Sequence, residues 1–438
     1  MTYAVDDRHS DDPDSDGPNS DDPTTEGRNA GAVVTAEAEP GIRSRFLPRW
    51  WYSRWWLSVI IIFAGARVIT TTMLLVLASV QGKNPWTGAQ PSYWDYASIW
   101  DGTWYKIIAY WGYPSQLPLQ TNGHIAQNAW AFLPGYPFLV RGLSEITTAP
   151  WEYVSVIVSL AFGLGAALVF YKLMRIALPA GTSMFAVVLF CIGPVSPMFQ
   201  VAYAESMFIF LLALALYFLV RRRYALLFPI ILVMSFTRPS GLAFALLLVM
   251  HFAWRWWRAR RDNEPFPLRD QVLVGAAAVF SGLTGIAWNL IAWGATGYFS
   301  AYTETELAWR ATYIGYAPLL PFTAWIQGGN WWLGAPAGAI VVVLLVITFA
   351  LVMATRGVRR LPIDLRFWLI AYAVYLLAVF FPQSSTFRLL MPMFPLLGVI
   401  ALPKSRIYRV ALVTVFLAAQ WGWLLICWGV DGYDWTPP

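Results

Sequence analysis

Residues 93–113 read YWDYASIWDGTWYKIIAYWGY and, after a short polar passage, residues 128–141 read NAWAFLPGYPFLVR. Both stretches lie between apolar segments that are long enough to cross a membrane. They are dense in Trp, Tyr, Pro and Gly, and the first carries two acids, Asp95 and Asp101. Acids are scarce elsewhere outside the N-terminal region, so this pair among aromatic residues predicts a functional loop between two spans.

The composition predicts a polytopic membrane protein with an all-α fold. Of 438 residues, 58% are hydrophobic and 12% are charged, whereas soluble domains carry about 25% charged residues. Apolar runs of about 20 residues recur, and each can form a spanning helix. About eleven spans are predicted, at about 57–80, 152–174, 181–200, 203–220, 224–237, 240–255, 271–293, 335–355, 367–382, 386–402 and 408–429. The fifth and sixth are interrupted at residues 237–241, because Pro239 breaks helical hydrogen bonding.

The distribution of Lys and Arg predicts the side on which each loop lies, because short cytoplasmic loops carry an excess of these residues. With the N-terminus inside, 21 basic residues fall at the inner ends and 5 at the outer ends. This bias places two sizeable loops, about 81–151 and 294–334, outside a multi-pass protein of the plasma membrane. It also accounts for the net charge of +6, so nucleic acid is not an expected partner.

The two ends of the chain differ from the membrane domain, which covers residues 51–430. Residues 1–50 are expected to form a disordered, acidic cytoplasmic tail, since 11 of the 24 acids fall within about the first 40 residues. Residues 431–438 are expected to form a short outer C-terminal tail. Cys191 and Cys427 lie in apolar runs and predict no disulfide framework.

Nine acids fall in outer loops or near the outer interface, and these are the candidates for a general base. They are Asp95, Asp101, Glu145, Glu152, Glu205, Glu304, Glu306, Asp431 and Asp434. Asp101 has Trp100, Trp104 and Tyr105 close by in the sequence, and such rings suit the C–H face of a sugar. An interfacial aromatic belt with two solvated acids explains the same pattern.

Three further charged residues, Glu205, Arg238 and Arg388, are candidates for a role in a site. Glu205 begins a span, and Arg238 lies in the interrupted segment, where a charge is costly unless it is paired or functional. One explanation is an ion pair between the two, and the other is that Arg238 and Arg388 hold phosphate oxygens. His124 is a candidate phosphate ligand, although its place in an outer loop favours a solvated histidine.

The energy source must come with the substrate, because the sequence has no Walker or glycine-rich phosphate motif. An extracytoplasmic transferase then needs an activated donor such as a lipid-linked phosphosugar. No cluster of His, Asp or Glu has convincing metal-ligand spacing, so no cofactor is predicted. A divalent ion held by Asp101 with Glu304 and Glu306 stays open as an alternative.

Five motifs, in order, resemble those of the PIG-V family, and they span about residues 55 to 400. They are Trp100-Asp101 with Ile108-Ala109 and Gly112-Tyr113; Ala131-Phe132-Leu133-Pro134-Gly135-Tyr136-Pro137; Tyr203-Ala204-Glu205-Ser206; Arg238-Pro239-Ser240-Gly241; and Arg388 followed by Pro392 and Pro395. The resemblance implies a multi-pass GT-C type mannosyltransferase over residues 51–430. In that fold 81–151 is the catalytic first outer loop, which contains Asp101, and 294–334 is the second outer loop.

The resemblance also implies a reaction. Mannose would pass from polyprenyl-phosphate-mannose to a hydroxyl of an extracytoplasmic glycolipid or lipoglycan of the cell envelope, with inversion and Asp101 as general base. Arg238 and Arg388 would bind the donor phosphate. The supporting residues would be Trp100, Trp104, Tyr105, Tyr136, Glu205, Asp95 and His124.

Two other functions remain open at this point. The first is transfer of another prenyl-phosphate sugar on the same architecture. The second is transport of a lipid or sugar without catalysis. Transporters usually contain paired repeats with matching broken helices, and the sequence shows one interrupted segment without a repeat.

Overall fold

Helices make up the regular structure of the computed structural model, which describes residues 54–317, 320–429 and 436–438. All of these belong to the unit Arg45–Pro438. The predicted acidic tail (1–50) lies outside the described residues, as do Asp431 and Asp434. The α-helices are α1 Trp55–Val80, α2 Tyr93–Tyr96, α3 Asp101–Trp111, α4 Gly135–Thr147, α5 Trp151–Met174, α6 Ala180–Ile192, α7 Glu205–Val220, α8 Leu227–Ser235, α9 Gly241–Arg261, α10 Leu268–Thr296, α11 Ala301–Ile314, α12 Ala324–Leu333, α13 Ala337–Ala354, α14 Ile363–Val379, α15 Thr386–Leu389, α16 Leu396–Ile400 and α17 Arg406–Trp428.

Five of these helices, α1, α5, α10, α13 and α17, are long and apolar enough to cross a membrane. The predicted class, an all-α multi-pass membrane protein, is therefore confirmed, while the count of eleven spans is not. The helices α6 and α7 are apolar but shorter. The predicted span 386–402 is wrong as a single helix, because it divides into α15, a 3-10 turn and α16. Pro392 and Pro395 lack the N–H groups that a continuous helix requires.

The interrupted segment predicted around Pro239 is present. Helix α8 ends at Ser235 and α9 begins at Gly241. Two neighbouring elements satisfy backbone groups there: Gly135 N–H donates to the Phe236 carbonyl at 2.8 Å, and the Ser281 hydroxyl donates to the Gly241 carbonyl at 2.8 Å. Non-helical backbone is tolerated at membrane depth only when protein or a cavity surrounds it, so these contacts explain how the break persists.

The two loops predicted to lie outside pack against each other. The Asn128 amide donates to the Thr305 hydroxyl at 2.9 Å, and the Trp104 and Trp309 rings meet edge to face at 5.9 Å. The Trp288 indole, in the C-terminal half of α10, donates to the Trp130 carbonyl at 3.0 Å. The first loop is therefore held over α10 and α11, and the candidate site lies beneath this contact.

Arg67, a buried residue of α1, has a structural role. Its guanidinium donates to the Ser196 carbonyl at 2.7 Å and to the Cys191 carbonyl at 2.5 Å. Carbonyls at a helix C-terminus lack helical partners, and Cys191 lies at the end of α6. Arg67 therefore fastens α1 to the end of α6.

A buried polar group at the middle of α9 joins three elements. His251 Nδ1 lies 2.6 Å from Asp364 Oδ1, and His251 Nε2 lies 3.1 Å from the Tyr224 hydroxyl. Sequence reasoning assigned no role to His251. The structure makes it the connection between α9 and α14, because a buried charge or imidazole is retained where it is hydrogen-bonded.

Glu264, in the turn between α9 and α10, gathers three arginines. It pairs with Arg222, accepts a hydrogen bond from Arg255 at 2.8 Å and lies 3.3 Å from Arg258. Burial alone would raise the pKa of Glu264, but Arg222 and Arg255 outweigh it and hold the pKa below its ordinary value. The ionised carboxylate therefore stabilises this end of the helix pair.

Glu264→Gln is expected to lower the free energy of unfolding at pH 7 by about 1–2 kcal/mol, because three guanidinium groups lose their shared anion. A lowered native pKa contributes stability above the unfolded value of about 4.3, and the contribution disappears as the pH falls through the native pKa. Thermal unfolding of detergent-solubilised protein should show the difference at pH 7 and its loss below pH of about 4. The control Asp262→Asn removes a half-exposed acid of the same turn. An equal effect of both variants would contradict the assignment.

Candidate active site

Four charged side chains that the sequence singled out meet in one cluster, the charged cluster of Asp101, Glu205, Arg238 and Arg388. Arg388 Nη1 pairs with Asp101 Oδ2, and its Nε lies 3.2 Å from Glu205 Oε1. Arg238 Nη2 lies 3.2 Å from the same Glu205 oxygen. The ion pair proposed between Arg238 and Glu205 is therefore present, and Arg388, 287 residues from Asp101 along the chain, extends it to the candidate base.

The cluster is buried and carries no net charge. Glu205 and Arg388 have 4% and 9% of their side chains exposed, and Asp101 and Arg238 have 14% and 15%. Charges at such burial are costly unless each has a partner. Glu205 meets this need for both arginines at once, and the two guanidinium groups are therefore fixed in place before any ligand arrives.

The backbone before Asp101 is strained. Trp100 has φ +61° and ψ −123°, a left-handed conformation that bulky residues rarely adopt and that often marks functional sites. Its indole donates to the Cys427 carbonyl at 2.9 Å. Asp101 then begins α3, and its N–H donates to the Tyr203 hydroxyl at 3.2 Å. These contacts fix the direction of the Asp101 carboxylate.

Tyr203 supports both ends of the Asp101–Arg388 pair. Its hydroxyl accepts from the Asp101 backbone, and its ring lies 5.2 Å from Arg388 Cζ. A guanidinium over an aromatic face gains further attraction. Tyr203 is fully buried, so it can position the pair but has little free surface for a ligand.

The charged cluster lines a cavity of about 780 Å³. Next to the charged cluster, the cavity has an aromatic wall that consists of Trp100, Trp104 and Tyr105. Leu242 and Ile286 also line the cavity. Leu242 is 44% exposed and Ile286 is 42% exposed. The cavity therefore reaches from buried charges to the apolar outer surface of α9 and α10.

The other predicted supporting residues lie apart from the cluster. Tyr136 is fully buried, and its hydroxyl donates to the Ser155 carbonyl at 2.8 Å. Asp95 is exposed and accepts from the Ser92 hydroxyl at 2.7 Å. His124 is exposed and stacks on Tyr316, with ring centroids 3.6 Å apart. None of these three residues lines the cavity.

Sequence reasoning did not single out a second polar part of the cavity wall, contributed by α11, α12 and α14. It consists of Tyr302, Glu306, Trp309, Arg310, Gln327 and Tyr375. Burial raises the pKa of Glu306, and the Arg310 guanidinium and the Tyr302 hydroxyl act in the opposite direction. Glu306 was one of nine acids with no local feature to separate it from Glu304. Within the described residues, no three His, Cys, Asp or Glu side chains gather as a metal site.

Three solved structures of the Archaeoglobus fulgidus oligosaccharyltransferase are similar to this chain. One is tethered with an acceptor peptide (12% identity, TM-score 0.42), one is AglB in complex with an inhibitory peptide and a dolichol-phosphate (15%, 0.44), and one is the apo form (14%, 0.42). Each match covers 89% of this chain and 56% or 57% of the other, so this chain spans a little over half their length. At these TM-scores the likeness carries no argument about activity.

No protein-family model and no curated protein matches the chain. The resemblance to the PIG-V family is therefore not confirmed by these comparisons. The functional interpretation depends on the charged cluster and the cavity themselves.

Glu205→Gln is expected to lower the free energy of unfolding by about 3 kcal/mol, because two buried guanidinium groups lose their common anion. The measurement is thermal unfolding of the purified protein in lipid nanodiscs. The control Glu152→Gln breaks the Lys106–Glu152 pair, in which 43% of the lysine side chain is exposed, and should cost less than about 1 kcal/mol. Equal destabilisation by both variants would show that Glu205 does not hold the cluster together.

Proposed function

We propose that this protein is a GT-C type membrane glycosyltransferase. It transfers mannose from polyprenyl-phosphate-mannose to a hydroxyl of an extracytoplasmic glycolipid or lipoglycan. The observation that supports this most is the Asp101 carboxylate, which lines a large cavity next to two arginines and a wall of aromatic rings. A carboxylate in such a place can serve as a base, and the arginines can serve as phosphate ligands.

The shape and composition of the cavity favour a lipid-linked donor. Arg238 and Arg388 supply positive charge inside, and Leu242 and Ile286 form an apolar wall that continues onto the bundle surface. A prenyl-phosphate sugar has the same two parts, an anionic phosphate and an apolar chain. It can keep its chain in the membrane while its sugar enters between the aromatic rings.

The chemical step needs one base and one stabilised leaving group. Asp101 takes the proton from the acceptor hydroxyl as that oxygen bonds to the anomeric carbon of mannose. The bond from this carbon to the phosphate oxygen breaks, and the electron pair leaves with the prenyl phosphate. Attack opposite the leaving group inverts the anomeric centre, and Arg238 and Arg388 stabilise the charge that develops on the phosphate.

Arg388 contacts the proposed base and is also a proposed ligand of the donor phosphate. A guanidinium has five N–H donors, of which Nη1 pairs with Asp101 and Nε faces Glu205. Its remaining donors are available for a phosphate oxygen. Arg388 thereby places the base near the reacting phosphate, while Glu205 prevents either arginine from turning away.

We further propose that the cavity opens on the extracytoplasmic side, with the N-terminus cytoplasmic, in keeping with the bias of basic residues. The proposed catalytic domain covers residues 51–430, with loops 81–151 and 294–334 on the outer side. The choice of mannose comes from the PIG-V motifs, and another prenyl-phosphate sugar is the alternative donor.

Asp101→Asn is expected to reduce mannose transfer by about 10²–10⁴-fold, because the amide cannot take the acceptor proton. The assay follows radiolabel from polyprenyl-phosphate-mannose into an envelope-lipid extract, with the purified protein in lipid. Glu145→Gln is the control, since Glu145 is exposed and pairs with Arg141. Retained transfer by the Asp101 variant would exclude it as the base. Donor binding without transfer by the wild type would show that the sugar or the acceptor is wrong.

Arg388→Lys is expected to raise the donor KM by about tenfold or more, because a lysine cannot bridge Asp101, Glu205 and a phosphate at the same time. The change retains the positive charge, so the loss would report geometry. The same transfer assay at varied donor concentration measures it, with Arg141→Lys as the exposed counterpart. An unchanged donor KM would remove Arg388 from the phosphate site.

A further inference from the structure

The second polar part of the cavity wall centres on Glu306 of α11. Glu306 and Tyr302 both line the cavity, and Arg310 adds an attractive charge one turn later on the same helix. Arg310 is itself anchored, because its Nη2 donates to the Val379 carbonyl at 2.8 Å. Glu306 therefore lies on the cavity wall together with Tyr302 and Arg310.

A second polar atom beside it lacks a partner. The Trp309 indole N–H is buried and has no hydrogen-bond acceptor among the described residues. Its ring meets Trp104 at 5.9 Å and Phe132 at 5.9 Å, both of which also line the cavity. Buried indole N–H groups usually find an acceptor, so this one points to an oxygen supplied by a ligand.

The charges around Glu306 indicate which kind of ligand binds to this part of the cavity wall. A phosphate would be repelled by the Glu306 carboxylate, and it finds two arginines in the charged cluster instead. A metal cation would be opposed by Arg310, which lies next to Glu306. A neutral polyol avoids both conflicts, because its hydroxyls donate to a carboxylate and accept from an indole N–H.

We propose that Glu306 and Trp309 form the binding site for the acceptor, and that this acceptor presents a hexopyranoside. The Glu306 carboxylate accepts hydrogen bonds from two neighbouring hydroxyls of that sugar, and the Trp309 indole donates to a third oxygen. The inference rests on the proposed function and deepens it, since it assigns the donor phosphate to one part of the cavity and the acceptor sugar to another.

The test measures equilibrium binding of radiolabelled octyl α-D-mannopyranoside, below its micelle concentration, to the purified full chain in nanodiscs without donor. Glu306→Gln should weaken binding about tenfold, the size of a hydrogen bond to a charged group. Glu304→Gln is the matched control, because Glu304 lies on the same helix but does not line the cavity. Equal affinity of the wild type and Glu306→Gln, or no binding by the wild type, would overturn the proposal.

Monodeoxy analogues of the probe separate direct contact from a structural effect. Removal of a hydroxyl that Glu306 binds should weaken binding to the wild type by about fivefold or more and leave binding to Glu306→Gln nearly unchanged. Trp309→Phe keeps an aromatic ring at this position and removes the N–H, and it should weaken binding of the parent probe. Deoxy analogues that lose affinity equally in the wild type and in Glu306→Gln would show that Glu306 does not contact the sugar.

Transfer kinetics distinguish this proposal from the proposed reaction. Glu306→Gln should raise the acceptor KM about tenfold and leave the donor KM unchanged. If the wild type binds the probe through Glu306 but transfers no mannose, the reaction is wrong and the sugar site stands. If the wild type transfers mannose and the acceptor KM of Glu306→Gln is unchanged, the sugar site is wrong and the reaction stands.

Discussion

The candidate site depends on one interaction, the pairing of the buried Glu205 carboxylate with two guanidinium groups. Glu205 begins α7 at a depth where an unpaired charge would be costly, and it offsets that cost by pairing with Arg238 and Arg388 at 3.2 Å. Each arginine comes from a different broken part of the chain, the α8–α9 interruption and the α15 turn. One carboxylate therefore brings separate non-helical segments to the same place.

Breaks between helices place two of the charged residues of the candidate site. Arg238 lies in residues 236–240, and Arg388 lies in the short helix α15. A continuous helix would point these side chains according to its own period and satisfy its backbone internally. At a break, the chain can direct a long side chain into a cavity, provided that neighbours such as Gly135 and Ser281 satisfy the freed backbone groups.

The charged side chains of the cavity wall form two separate groups. One part carries two arginines balanced by Asp101 and Glu205, and another carries Glu306 with Arg310 nearby. In the proposed reaction, the donor phosphate binds in the first part and the acceptor sugar in the second. An inverting transfer, as proposed, requires this separation, because the donor phosphate and the acceptor hydroxyl must lie on opposite sides of one carbon atom.

The sequence by itself determined the membrane class and the presence of a break at Pro239. It also identified Asp101, Glu205, Arg238 and Arg388, because charges in apolar surroundings stand out locally. The tertiary structure alone decided that Arg388 pairs with Asp101 across 287 residues and that Glu306 rather than Glu304 lines the cavity. These outcomes depend on which segments pack together, and neither hydrophobic period nor local motif specifies the partner of a side chain distant in sequence.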